Sequence, residues 1–478
     1  MKMNTRVTFT RRHTSLSRGS RNLLAAASVL LIAAGVQAQD AHPVPLADGH
    51  GVGGVRAPIY RTDVTDLSRA RVADGFTFAA GGDLLGPYNP LTQVGDADVN
   101  KMVKLFQDAD VGFANHESSA FDLPGLPGTT QAAQNGGGYP RFTTALDRDF
   151  RAMGIKMVSM ANNHAGDWGP EGLLATLATV QAAGLVEAGA GASMGDARRA
   201  GVVYTPRGTV GLISTASTFN PATEAADGFG ALPPRPGVSV LRVRPVVALT
   251  EQQMVLMRRL SRAWWRPNYG VRDEPGSVTV GGATFKPGSD TGLTYLVDKD
   301  DHDAVIKSIS DAKRANDLVA FSIHAHEVAT SGSTASAAEF LPPLFHEAID
   351  AGADIVLRSG PHVLGGVEIY KGKPIFYGLN SLFFIVGGVQ AASNATHRAE
   401  SGFYDSAVSV TEFKGGKPSV VRIYPITTIV DRVAAFGGSK IATGADAKRI
   451  LATIQKESEP FGTRISVEND VGVIRIAR

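Results

Sequence analysis

From Phe76 onward the chain repeats one pattern: a short apolar stretch, a polar cluster at its end, then a stretch with helical spacing. The apolar stretches are FTFAAGGDLL (76–85), VGFANHES (111–118), MVSMANNH (157–164), LVAFSIHAHE (318–327), DIVLRSGPH (354–362) and PIFYGLNSLFF (374–384). They are short and rich in β-branched and aromatic residues, which predicts buried strands rather than helix cores. Pro170 at a first helical position, an apolar stripe of Leu173, Leu174, Leu177 and Val180, and Gly184 as C-terminal cap predict a helix between two of them. Residues 101–106, 251–264 and 301–315 read as further helices. Gly281-Gly282 and Gly415-Gly416, each between β-rich runs, predict hairpins, and the chain is expected to end in a helix and a strand, IRIA.

Strands alternating with helices predict an α/β architecture built on largely parallel sheets. Residues 39–75 are rich in Gly, Pro, His and Asp and read as a lead-in, and residues 76–430 as the main domain. The stretch 219–316, with ALPPRPG and SVTVGGATF, differs in character and reads as an insertion, while 431–478 reads as a C-terminal extension packed on the domain.

The first 38 residues change the charge picture. Lys2, Arg6, Arg11, Arg12, Arg18 and Arg21 precede or open an apolar run at 23–36, and Val36-Gln37-Ala38 fits a small-residue cleavage site. This is the layout of a secretory signal peptide, and the run is shorter than the ~20 residues that span a bilayer. Export by the general route or, given Arg11-Arg12, the twin-arginine route is expected, to the periplasm or beyond. The whole chain has 47 basic and 45 acidic residues; without the six basic ones named here, 41 remain against 45, a net of −4. No basic patch then argues for nucleic acid. No second apolar run predicts a membrane span in the mature chain. There is no cysteine, so disulfides and thiolate zinc sites are excluded. Nothing in the sequence fixes an oligomeric state.

In open α/β sheets ligands bind beyond the carboxyl ends of the strands. Asp83 ends the first stretch, Asn115 and Glu117 the second, and Asn162, Asn163 and His164 the third; His324, His326 and Glu327 end the next, and His362 follows Gly360-Pro361. Each alone has an ordinary explanation as a turn, cap or loop residue. Together they form a mixed oxygen and nitrogen donor set, which suits Mn, Fe or Zn better than Ca. Two such ions sharing a carboxylate could clamp a phosphoryl group, with a neighbouring histidine to protonate the leaving group.

The series GGDLL, ANHES, ANNHAGDWGPEGLLAT, GAGAS, SIHAHE and GADIVLRSGPHVLGGVEIYKGKPIFY resembles the CapA family of poly-γ-glutamate capsule synthesis proteins, within the calcineurin-like metallophosphoesterase superfamily. The resemblance runs from about 76 to 384. It implies a four-layer α-β-β-α sandwich and a dinuclear metal site. Asp83 stands at the first metal-binding aspartate, Glu117 at the bridging acid with Asn115 beside it, Asn163 at the amide ligand and His164 at the proton-handling histidine. His324 or His326 supplies the fourth motif and His362 the last; Asn162 and Asp167 are expected to orient the loop, with Glu327 in support. The last motif of the family carries two histidines, whereas this chain has Ser359 and Gly360 before Pro361-His362.

The resemblance implies a metal-dependent phosphoester hydrolase of cell-envelope polymers, with an anionic polymer or phosphoester as substrate. Two alternatives stand beside it: a binding or assembly factor with the same fold and no turnover, and amide hydrolysis or transfer on a polyglutamate-like polymer. A serine hydrolase is the fourth possibility, because GASMG at 191–195 matches G-x-S-x-G. That motif needs a strand before it and a helix after it to expose Ser193; here a Gly/Ala-rich loop follows a Leu185-Val186 strand and leads into DARR, with no helix nucleus.

Overall fold

The structure, a computed structural model, describes residues 71–86, 96–126, 129–263, 276–281, 283–289, 291–329, 337–384, 402, 404–429 and 438–477. The expected signal segment, most of the lead-in, Trp264 and Gly282 lie outside the described residues. Everything described belongs to one compact unit, Gly49–Arg478.

Two large mixed sheets carry the fold. The centre of the first is parallel: Phe76–Leu85, Val111–His116, Ile155–Ser159 and Val186–Ala188 lie side by side. The hairpin Asp405–Lys414/Lys417–Thr428 extends it antiparallel from Phe76–Leu85, and Val471–Arg475 pairs with the hairpin's outer strand. Gly415 and Gly416 take φ of 64° and 74° at the hairpin tip, which a two-residue turn requires and glycine supplies without cost. The second sheet runs Val367–Tyr370, Lys373–Phe376, Ile355–Ser359, Leu318–His324, Gly208–Ala216 and Gly201–Thr205, parallel across its four central strands.

Burial explains why these strands read as continuous apolar runs. Phe78, Phe113 and Met157 of the first sheet share one core with Leu212, Ala320 and Leu357 of the second. The opposite face of the first sheet packs on Met102 and Phe106 of helix Ala97–Gln107, Phe150 of helix Thr144–Met153, and Leu173 and Val180 of helix Gly169–Ala182. The outer face of the second packs on Val305 and Ile309 of helix Lys299–Ala315 and on Leu344 and Phe345 of helix Leu341–Asp350. Strands buried on both faces have no reason to alternate. Asp96 and Asp298 cap two of these helices, their carboxylates accepting Val99 and Asp301 amides. A separate four-stranded sheet forms from Val243–Leu249, Val278–Val280, Ala283–Pro287 and Gly292–Val297, next to helix Glu251–Ala263.

Two sequence expectations need correction. PIFYGLNSLFF is not one strand: Lys373–Phe376 ends in the second sheet and Ser381–Phe384 joins the first, parallel to Phe76–Leu85. The chain crosses at Tyr377–Asn380, where Asn380 takes φ 60° and donates its amide to the Asp405 carbonyl. Gly81 and Gly82 make the crossing possible, since a Cβ on Gly82 would lie 1.4 Å from the Asn380 carbonyl oxygen. Leu174, placed in the apolar stripe, is exposed; Leu173, Leu177 and Val180 are buried.

Candidate metal centre

The parallel topology brings five strand ends to one place. Asp83 is register partner to Asn115 on one side and Ser381 on the other. Across the second sheet His324 is register partner to Ser359 and Ala216. The Asn115 amide donates to Asp83 Oδ1 at 2.9 Å and lies 3.3 Å from His324 Nδ1, so a side chain from the first sheet meets one from the second.

Around this contact the donors fall into two groups that share one residue. Glu117, His324 and His326 bring ligand atoms within 4.8 Å of one another, as do Asp83, Glu117 and His362. His324 Nε2 lies 3.0 Å from His326 Nε2 and 3.5 Å from Glu117 Oε1, and His362 Nδ1 lies 3.4 Å from Asp83 Oδ2. Hydroxyls steady two of the rings: Ser359 Oγ is 3.1 Å from His324 Nδ1, and Ser381 Oγ 3.1 Å from His362 Nδ1. His362 holds φ 50°, a left-handed conformation costing a residue with a Cβ about 1–2 kcal/mol.

Asn163 and His164 come from the loop after Ile155–Ser159. The Asn163 amide nitrogen donates to the Gly136 carbonyl at 2.8 Å, leaving its Oδ1 buried with no hydrogen-bond partner. His164 Nδ1 is 2.7 Å from Asp167 Oδ2, while the other Asp167 oxygen accepts the Gly136 N–H. Asn162 folds the loop, accepting the His164 N–H and donating to the His116 carbonyl. Asn162 and Asp167 thus orient the loop. Glu327 stands outside both groups, its carboxylate accepting the Ser217 and Thr218 hydroxyls at 2.7 and 2.9 Å.

The donor set fits a cation. Glu117 is completely buried, and neither of its carboxylate oxygens has a hydrogen-bond partner. A buried unpaired carboxylate is costly, and a cation is a group that would satisfy it; Asn163 Oδ1 is a second buried acceptor without a partner. Burial, and then the Asp83 carboxylate, push Glu117 well above the usual carboxylate range. Burial, and then the neighbouring imidazoles His326 and His362, hold His324 well below the usual histidine value; burial and His362 lower His326 to about 4. Both rings are therefore neutral near pH 7, the state that ligates metals.

A cleft of about 470 Å³ opens beside Asn163, lined by Gly136, Thr218, Phe219 and Asn220 among others. Cavities of about 500 and 650 Å³ lie elsewhere, against Lys104 and Tyr424 and against Lys371 and Lys414, and none of the candidate donors lines them. Of these three, the cleft beside Asn163 adjoins a candidate donor.

Sequence reasoning missed Arg358. It is 3% exposed, and its guanidinium donates to the Ala325 and Glu327 carbonyls at 3.0 and 2.8 Å. The signal was an arginine inside DIVLRS, a run that otherwise reads as a buried strand. Ser193 is placed elsewhere: its hydroxyl accepts the Asp196 amide as cap of the one-turn helix Met194–Ala197.

The family profile described as "Bacterial capsule synthesis protein PGA_cap" matches residues 79–384. The chain belongs to this capsule synthesis family. An uncharacterized protein of Sinorhizobium fredii, y4sH, is 33% identical over 448 residues, covering 87% of this chain and 96% of that one. The probable polyglutamine synthesis accessory protein MT0602 of Mycobacterium tuberculosis is 24% identical over 323 residues, 65% of this chain and 64% of its own length. Among solved structures, a hypothetical protein from Thermus thermophilus aligns with TM-score 0.36 and 11% identity, over 73% of this chain and 98% of that one. No helix among the described residues is long and apolar enough to cross a membrane.

Proposed function

We propose that this capsule-family protein is a metal-dependent phosphoester hydrolase, exported to act on an anionic polymer of the cell envelope. Its layers are read as α-β-β-α, supported by the three apolar interfaces around the two large sheets. Asp83, Glu117, Asn163, His324, His326 and His362 would hold one or two ions of Mn, Fe or Zn. What such an ion supplies is Lewis acidity toward a phosphoryl oxygen. The observation that carries the reading is the buried, unpartnered Glu117 carboxylate common to both donor groups.

The chain's own groups do the rest. His164 handles the proton: with Asp167 Oδ2 accepting Nδ1–H at 2.7 Å, the ring is fixed in orientation and Nε2 is left to give a proton to the leaving oxygen. The 9% exposure of the His164 side chain keeps bulk water away while leaving an edge to meet substrate. The cleft lined by Gly136, Thr218 and Asn220 would admit the substrate, with Phe219 as an apolar wall. The words "polyglutamine synthesis" in the Mycobacterium relative's name agree with a place in polymer metabolism. Hydrolysis of p-nitrophenyl phosphate and its diester, with and without EDTA, tests the reading. Activity lost in EDTA and regained with Mn²⁺ supports it; EDTA-insensitive activity removed by Ser193→Ala overturns it.

A further inference from the structure

The turn after Ile355–Ser359 contains a glycine whose surroundings are unusual. Gly360 has φ +110°, and a Cβ built there would lie 3.0 Å from His326 Cδ2 and 3.2 Å from Nε2 of both His324 and His326. A side chain at this position would therefore press on both imidazoles at once, which would have to give way by a few tenths of an ångström. Positive φ alone favours glycine at 360, but two of the three close contacts are to His326.

His326 lies two residues beyond the last strand residue, His324, so sheet hydrogen bonds do not fix it. Its main chain is held instead by Thr218 and Arg358. Its own N–H donates to Thr218 Oγ1 at 2.8 Å, and that hydroxyl donates to Glu327 Oε1 at 2.9 Å. Arg358 clasps the carbonyls on either side, Ala325 at 3.0 Å and Glu327 at 2.8 Å. Burying a guanidinium is expensive, and burial lowers Arg358 to about 10.

We propose that Gly360 and His326 are a matched pair: the missing side chain at 360 opens the volume in which His326 closes the Glu117–His324 group as its third donor, with Arg358 and Thr218 as positioning residues. The inference rests on the metal reading above and goes beyond it, because it says which strand end supplies the donor and what the neighbouring turn must give up.

The test compares wild type, His326→Ala, Gly360→Ala, the double variant and Thr218→Val. Metal content is measured by mass spectrometry and Mn²⁺ and Zn²⁺ affinity by calorimetry, with circular dichroism in EDTA to confirm folding. His326→Ala is expected to weaken one equivalent by tenfold or more, Gly360→Ala to give the same loss, and the double variant to be no worse than either. Thr218→Val, which keeps the ring but loosens it, should cost about 10–100-fold, the range seen for outer-shell partners. Normal metal affinity in folded His326→Ala, or losses that multiply in the double variant, overturn the pairing. If Gly360→Ala does not fold, His326→Ala and Thr218→Val decide by the same criterion. A folded wild-type chain that binds no metal overturns the hydrolase reading itself.

Discussion

Glu117→Gln should make the metal-free protein more stable and the metal-loaded protein less so. Glu117 is buried, its two oxygens are unpartnered, and the Asp83 carboxylate is close enough to raise its pKa. A buried unsatisfied group costs about 1–3 kcal/mol, more when charged. Glutamine keeps the shape, removes the charge and offers an N–H to Asp83, so relief of about 2–4 kcal/mol is expected in EDTA. At about 2.1 cal/mol/K per residue, the compact unit Gly49–Arg478 has an unfolding entropy of about 0.9 kcal/mol/K, which turns that relief into a rise of about 2–4 °C. With metal at a hundred times its Kd, wild type gains about 2.7 kcal/mol per site, and the variant, lacking the shared carboxylate, gains little. Thermal unfolding followed by fluorescence, in EDTA and in excess Mn²⁺, should show the two curves exchange order. A variant less stable than wild type in EDTA would refute the reasoning, since Glu117 would then be a satisfied structural group.

His164→Ala should keep its metal and lose about 10²–10⁴ in kcat, the usual worth of a general acid, measured on an aryl phosphate. Ser193→Ala should leave activity unchanged and cost about 1 kcal/mol, its cap to the Asp196 amide being lost. In the Glu117→Gln background without metal, stability should fall with acid. His326 is lowered to about 4 and His324 moves the same way, so the unfolded chain binds protons first as pH drops below 6.5. Stability present above 6.5 is lost toward pH 4, on the order of 3 kcal/mol from His326 alone, and urea midpoints at pH 7 and 5 will show it; a flat profile would contradict the burial of these rings.

The candidate site was legible because parallel strands place their carboxyl ends together, and here each end carries its own polar signature. GGD, ANHE, ANNH, IHAHE and SGPH each end or follow an apolar run, and the register partners Asp83–Asn115 and His324–Ser359 bring them side by side. The split of PIFYGLNSLFF was not legible. Both halves are apolar, and the crossover depends on Asn380 at positive φ and on the absence of a side chain at Gly82, two positions 298 residues apart in sequence. Nor was the support of His326, which uses Thr218 from one strand end and Arg358 from another, a contact that only packing creates. Leu174 failed for a simpler reason: helical spacing sets a stripe, and its edge position leaves it facing out.

Metal analysis of the purified chain tests the central claim most directly. The protein, loaded with Mn²⁺ or Zn²⁺ and passed through gel filtration, should retain one to two transition-metal ions, and folded Asp83→Ala and Glu117→Gln should retain fewer. A folded wild-type protein that retains none, or a Glu117→Gln variant that retains as many as wild type, would contradict the account.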